Sequence, residues 1–95
     1  MRRRIVFSRR AGADLDRLEA FLATESRGRA ERAVARILRG MRNLEDFSEL
    51  GVAMEGGLRQ LALRYGKSGY VVRYHILDDI VLITRIWHGR EDRPR

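Results

Sequence analysis

The 95-residue chain has no cysteine, one proline and one lysine. Without cysteine there is no disulfide framework and no thiolate metal site. No apolar run approaches the roughly 18 residues of a membrane span. The basic start MRRRIVFSRR also lacks the apolar stretch of a signal peptide. These absences predict a cytoplasmic protein with no membrane partner. The single proline, Pro94, closes a charged tail, Gly89 to Arg95, that is expected to fray. Because Lys67 is the only lysine, almost all the positive charge is arginine, whose planar fork suits carboxylate or phosphate. Arginine-rich codon usage accounts for that bias equally well. The formal net charge of +7 stands regardless and implies an acidic partner, either nucleic acid or protein. A chain of this length folds as one domain over 1–95, burying roughly two-thirds of its unfolded surface.

The stretch Gly69 to Arg90, GYVVRYHILDDIVLITRIWHGR, organises the rest. Two runs rich in Val, Ile, Tyr and Trp flank Asp78-Asp79, the pattern of a β-hairpin. With Leu77 opposite Ile80, simple pairing sets Tyr74 against Ile83, Val72 against Arg85 and Tyr70 against Trp87. Side-chain alternation then predicts a buried face of Tyr70, Val72, Tyr74, Ile76, Val81, Ile83 and Trp87, with Arg85 the only charge. The other face carries Val71, Arg73, His75, Leu77, Ile80, Leu82, Thr84, Ile86 and His88. One apolar and one mixed face predict helices behind the sheet and a partner or ligand in front.

Upstream, Arg4 to Ser8 reads as a short strand, with Ser8 placed to cap a helix. Ala11, Leu15, Leu18 and Leu22, with Phe21 beside them, predict that helix from Arg9 to about Thr24. After a break at Ser26 to Gly28, a second helix is expected from about Arg29 to Leu44. Its apolar stripe is Ala30, Val34, Ile37, Met41 and Leu44, widened by Ala33 and Leu38, and the two helices form an antiparallel hairpin. Arg29, Arg32, Arg36 and Arg39 line its outer side as a basic ridge, a pattern that is usually a solvated face. Phe47 to Gly57 is a loop, and Leu58 to Tyr65 a strand with Leu61 and Leu63 on one face and Gln60, Ala62 and Arg64 on the other. The predicted class is α+β: an N-terminal strand, a helical hairpin, then a three-stranded antiparallel meander with the helices on one face.

Few residues offer chemistry. His88 and Arg90 end the last strand, where a histidine can move a proton and an arginine can hold a phosphate. Arg64 and Arg73 extend a basic patch toward His75 and His88, although an arginine-rich chain makes such pairs by chance, and a histidine beside Trp87 is more often a packing residue. His75 and His88 have no carboxylate at ligand spacing, so neither a metal nor a cofactor is expected. The residues alone lead to a basic α+β domain that binds something acidic.

Three segments go further: RIVFSRRAGADLDRL at the start, GLRQLALRYGKSGYVVRYHI across two strands, and RIWHGREDR at the end. In order, spacing and length the sequence resembles the ParE/RelE superfamily of toxins from bacterial type II toxin–antitoxin modules, over nearly the whole chain. The RelE branch implies a ribosome-dependent mRNA endoribonuclease. Its helper residues are two lysines on the second strand, an arginine after the third strand's aromatic, an arginine after the last strand and a late tyrosine. Here Gln60 and Ala62 hold the second-strand positions, Val71 follows Tyr70, and no tyrosine follows Tyr74. Only Arg90 matches, and the missing groups supply the proton transfer and charge stabilisation such a reaction needs. The sequence is closer to the ParE branch, which implies inhibition of DNA gyrase by protein contact, with no catalytic residues. The resemblance further implies a ParD-like antitoxin that binds operator DNA for the pair and wraps the toxin with a partly acidic, disordered C-terminal segment. Arg29, Arg32, Arg36, Arg39, Arg64 and Arg73 are the candidate contacts for that segment. Under the ribonuclease alternative the working set is Arg64, Arg73, His88 and Arg90. A degenerate toxin that only binds antitoxin and co-represses its operon is the third reading.

Overall fold

Asp78 takes a left-handed backbone conformation, φ 49°, at the tip of the hairpin, a conformation that a short acidic side chain tolerates. That turn joins the two longest strands in a computed structural model that describes residues 2–65 and 68–89. The elements are β1 (Arg4–Phe7), α1 (Arg9–Ala23), α2 (Arg27–Arg42), β2 (Val52–Ala53), β3 (Leu58–Tyr65), β4 (Ser68–Leu77) and β5 (Ile80–His88). Arg90 and the rest of the tail expected to fray lie outside the described residues.

The class is the predicted α+β, and β3, β4 and β5 form the predicted meander. Two strands join it. β1 lies parallel to β5 and β2 antiparallel to β3, giving one five-stranded sheet of order β1-β5-β4-β3-β2. β2 had no sequence signal because two residues, Val52 and Ala53, are too few to show alternation. Ser8 caps α1 as expected, accepting from the Ala11 N–H at 3.1 Å. Ser26 does the same for α2, accepting from Arg29 N–H at 3.3 Å, so α2 begins at Arg27 rather than Arg29. Phe21 is 63% exposed and Leu38 39% exposed, so neither widens the apolar stripe of its helix.

The core lies between the helical hairpin and one sheet face. Leu18, Ile37, Met41 and Leu44 pack there on Tyr70, Val72, Tyr74, Val81, Ile83 and Ile86. Helix α2 approaches β3 closely at Gly40, where an added Cβ would sit 2.6 Å from the Leu63 Cδ2. The loop between α2 and β3 is tied down by Tyr74. Its hydroxyl donates to the Ser48 carbonyl at 2.7 Å and accepts from the Gly51 N–H at 2.8 Å. Burial pushes the Tyr74 hydroxyl pKa up, because the phenolate would lose its water.

The predicted hairpin register holds only as far as the pair Tyr74–Ile83. Thr84 is then an extra residue: Arg73 pairs with Arg85, Val72 with Ile86, Val71 with Trp87 and Tyr70 with His88. A bulge of this kind exchanges the faces of everything beyond it. Ile86 takes the place expected of Trp87 on the helix side, and Trp87, buried as expected at 2% exposure, lies on the face away from the helices. The signal was the polar doublet Thr84-Arg85 followed by the apolar doublet Ile86-Trp87, which breaks alternation.

Candidate functional site

The bulge decides which candidate residues meet. His88 sits on the helix side of the sheet, its ring edge-on to Tyr70 with centroids 5.3 Å apart and planes at 87°. Arg73 is on the open side. Its Nε donates to Gln60 Oε1 at 3.1 Å, and its guanidinium carbon lies 4.8 Å from the Trp87 ring centroid. The sequence had placed His88 and Arg73 on one face. They are on opposite faces, and Trp87 rather than His88 is Arg73's neighbour. Arg64 is exposed on the open side opposite Gly69, four residues along β3 from Gln60, so roughly 13 Å separates it from Arg73's position. His75 lies on that side too, between Leu82 and Leu58. Arg90 falls outside the described residues. Among those described, no group of three or more His, Asp or Glu could hold a metal ion.

The α2 ridge is as predicted. Arg29 pairs with Glu25 at 2.9 Å, whereas Arg32, Arg36 and Arg39 make no ion pair among the described residues. Beside this helix, Ile5, Phe7, Leu38 and Met41, with Arg4, Arg42 and Glu45, line a groove of about 440 Å³. One wall is the outer edge of β1. The Arg4 and Ser8 N–H groups donate toward β5, to Asp79 and Ile83 carbonyls, so alternation directs the intervening backbone of Ile5 and Phe7 toward the groove. An extended segment can add to such an edge.

Asp14 is absent from the candidates drawn from the sequence. It occupies the i+3 position of the α1 core stripe, between Ala11 and Leu18, and is 3% exposed. Beyond Phe7 no strand among the described residues lies beside the edge of β5, and Asp14 takes that place. Oδ2 accepts from the Ile86 N–H at 2.8 Å and from Arg85 Nε at 2.8 Å, and Oδ1 accepts from Arg85 and Arg17. Arg17 also donates to the Ile86 carbonyl at 3.2 Å. Burial works to raise the Asp14 pKa, but the bonds from Arg85, Ile86 and Arg17 outweigh it and hold the carboxyl below its ordinary value. A carboxylate recurring at helical core spacing was the signal available.

Residues 5–93 match the family of ParE toxins of type II toxin–antitoxin systems, parDE. The chain is 36% identical over 84 residues to the toxin RelE3 of Caulobacter vibrioides, covering 88% of this chain and 91% of that one. It is 32% identical to toxin RelE1 of the same organism, covering 94% and 96%. Its fold superposes with a TM-score of 0.76 on a chain of a chromosomal ParDE toxin–antitoxin system from P. aeruginosa, at 21% identity, covering 90% of this chain and 95% of that one. No helix among the described residues is long and apolar enough to cross a membrane. With a match across almost its full length, this chain belongs to the ParE toxin family, within the ParE/RelE superfamily, and is the toxin component of a type II toxin–antitoxin module.

Proposed function

We propose that the protein inhibits DNA gyrase by protein contact, without catalysing a reaction, and is neutralised by a ParD-like antitoxin. One observation carries this: the cations that a ribonuclease would gather are dispersed. Arg73 lies on one face of the sheet, His88 on the other, and Arg64 roughly 13 Å along the ladder. General acid–base cleavage needs its groups within hydrogen-bond reach of one substrate. Arg73, moreover, is already engaged with Gln60 and stacked on Trp87.

The antitoxin segment has two complementary surfaces. An extended apolar stretch fits the outer edge of β1 and the groove beside Met41, and acidic residues fit Arg32, Arg36 and Arg39 on α2. Arg64 and Arg73 are on the opposite face, so one segment would have to pass around an edge of the sheet to reach all six candidate arginines. Operator DNA is bound through the antitoxin.

The test is to add the purified protein to gyrase and plasmid. Loss of supercoiling with accumulation of protein-linked linear DNA, reversed by antitoxin, is the expected result. Unaffected gyrase with a folded toxin sinks the reading. The names of the Caulobacter relatives favour a second reading, a RelE-like mRNA endoribonuclease. It predicts cleavage of ribosome-bound mRNA that an Arg73→Ala variant fails to produce.

A further inference from the structure

The open face of the sheet is chemically unlike a surface built for phosphates. On the strands, the residues that alternate away from the helices include Val6, Leu58, Leu77, Ile80 and Leu82, with His75 among them. The ladder makes them neighbours: Val6 pairs with Leu82, Leu82 with His75 and His75 with Leu58, while Ile80 and Leu77 form the next rung. None of the five aliphatic residues belongs to the buried core or packs against it. Leu77 is 47% exposed, and Val6, Leu58, Ile80 and Leu82 are half-buried. A contiguous aliphatic face of this kind gains by being removed from water and offers nothing to a sugar–phosphate chain.

Charge narrows the occupant. Arg4 borders this patch on one side, and Arg73 and Arg64 lie along the same face toward the far end of β3, whereas the acids Asp78 and Asp79 sit at the hairpin tip and Glu55 in the turn before β3. A second copy would bring the same arginines face to face, and each copy carries a net +7. A partner with an aliphatic surface bordered by carboxylates is complementary in both respects.

We propose that the toxin grips its target protein with this open sheet face, burying Leu58 and Leu82 against an apolar surface with an acidic margin. The antitoxin groove on the helix side of β1 shares Arg4 with the margin of this face but none of its aliphatic residues. This inference rests on the proposed inhibition of gyrase, and that enzyme is the probe for it.

The experiment compares the wild-type protein, Leu82→Glu and the double variant Leu58→Thr/Leu82→Thr, which places uncharged β-branched residues suited to strands should the charge unfold the sheet. Supercoiling inhibition, antitoxin binding and thermal melting are read for each. The folded variants are expected to need at least about 10-fold more protein to inhibit gyrase, a loss of about 1.4 kcal/mol at a centrally buried contact. Antitoxin binding should stay within about 2-fold of wild type, since the groove lies elsewhere. Unchanged potency of the folded double variant overturns the proposal while leaving gyrase inhibition intact. Loss of antitoxin binding with unchanged gyrase potency also overturns it, by assigning the face to the antitoxin. If the wild-type protein leaves gyrase untouched, the reading beneath the proposal has failed and the proposal goes with it.

Discussion

The two halves of β5 are held on their outer side by different chemistry. From Ile80 to Ile83 the strand pairs with β1, backbone to backbone. From Thr84 onward no strand among the described residues lies on that side, and helix α1 supplies side chains instead, with Asp14 taking the Ile86 N–H and Arg17 reaching the Ile86 carbonyl. A strand partner satisfies an edge with groups that do not titrate. A carboxylate does the same work only while it is charged, and only while it has cations beside it to offset its burial. The bulge at Thr84 lies at the boundary between the halves. There the Ser8 hydroxyl donates to the Thr84 carbonyl at 3.2 Å, and the Thr84 hydroxyl donates to the Arg73 carbonyl at 3.1 Å.

Breaking the second half should cost the most. Asp14→Ala leaves Arg85 half-buried and the Ile86 N–H unpaired, and should destabilise the fold by about 3–5 kcal/mol in denaturant unfolding. In the first half the neighbouring Tyr74, which pairs with Ile83, can be tested by Tyr74→Phe. That change removes the two hydrogen bonds to Ser48 and Gly51 and should cost about 1–3 kcal/mol, with faster amide exchange at Gly51. At the boundary, Ser8→Ala loses both a helix cap and the bond to Thr84, and a loss of about 1 kcal/mol is expected from the unfolding midpoint.

The comparison can be sharpened with pH. Asp14 has a folded pKa below its unfolded value of about 3.9, so its contribution is fully present above that value and is lost as pH falls through the folded pKa. Melting temperatures of wild type and Asp14→Asn should therefore converge as pH drops from 6 toward 3. A gap that does not narrow would show that the carboxylate's charge is not what holds the second half.

Much of this was legible in the residues. The Leu58–Tyr65 strand has the predicted bounds, the Asp78-Asp79 turn is where two acidic residues between β-branched runs place it, and Ser8 caps α1. Each of these is decided by neighbours in sequence. The candidate site was less legible, because a single extra residue, Thr84, moves His88 away from Arg73. The effect of a bulge accumulates along the strand, and its signal is only one broken alternation.

The sequence by itself determined the α+β order of elements, the apolar stripes of the two helices and the surplus of arginine, since local propensity, helical spacing and charge are properties of the chain. Only the tertiary structure decided that β1 returns to lie parallel to β5, that Asp14 replaces a strand at the sheet edge, and that Val6 and Leu58 join His75, Leu77, Ile80 and Leu82 on one face. These features depend on which residues far apart in sequence come to share one face, and pairing register, not composition, sets that.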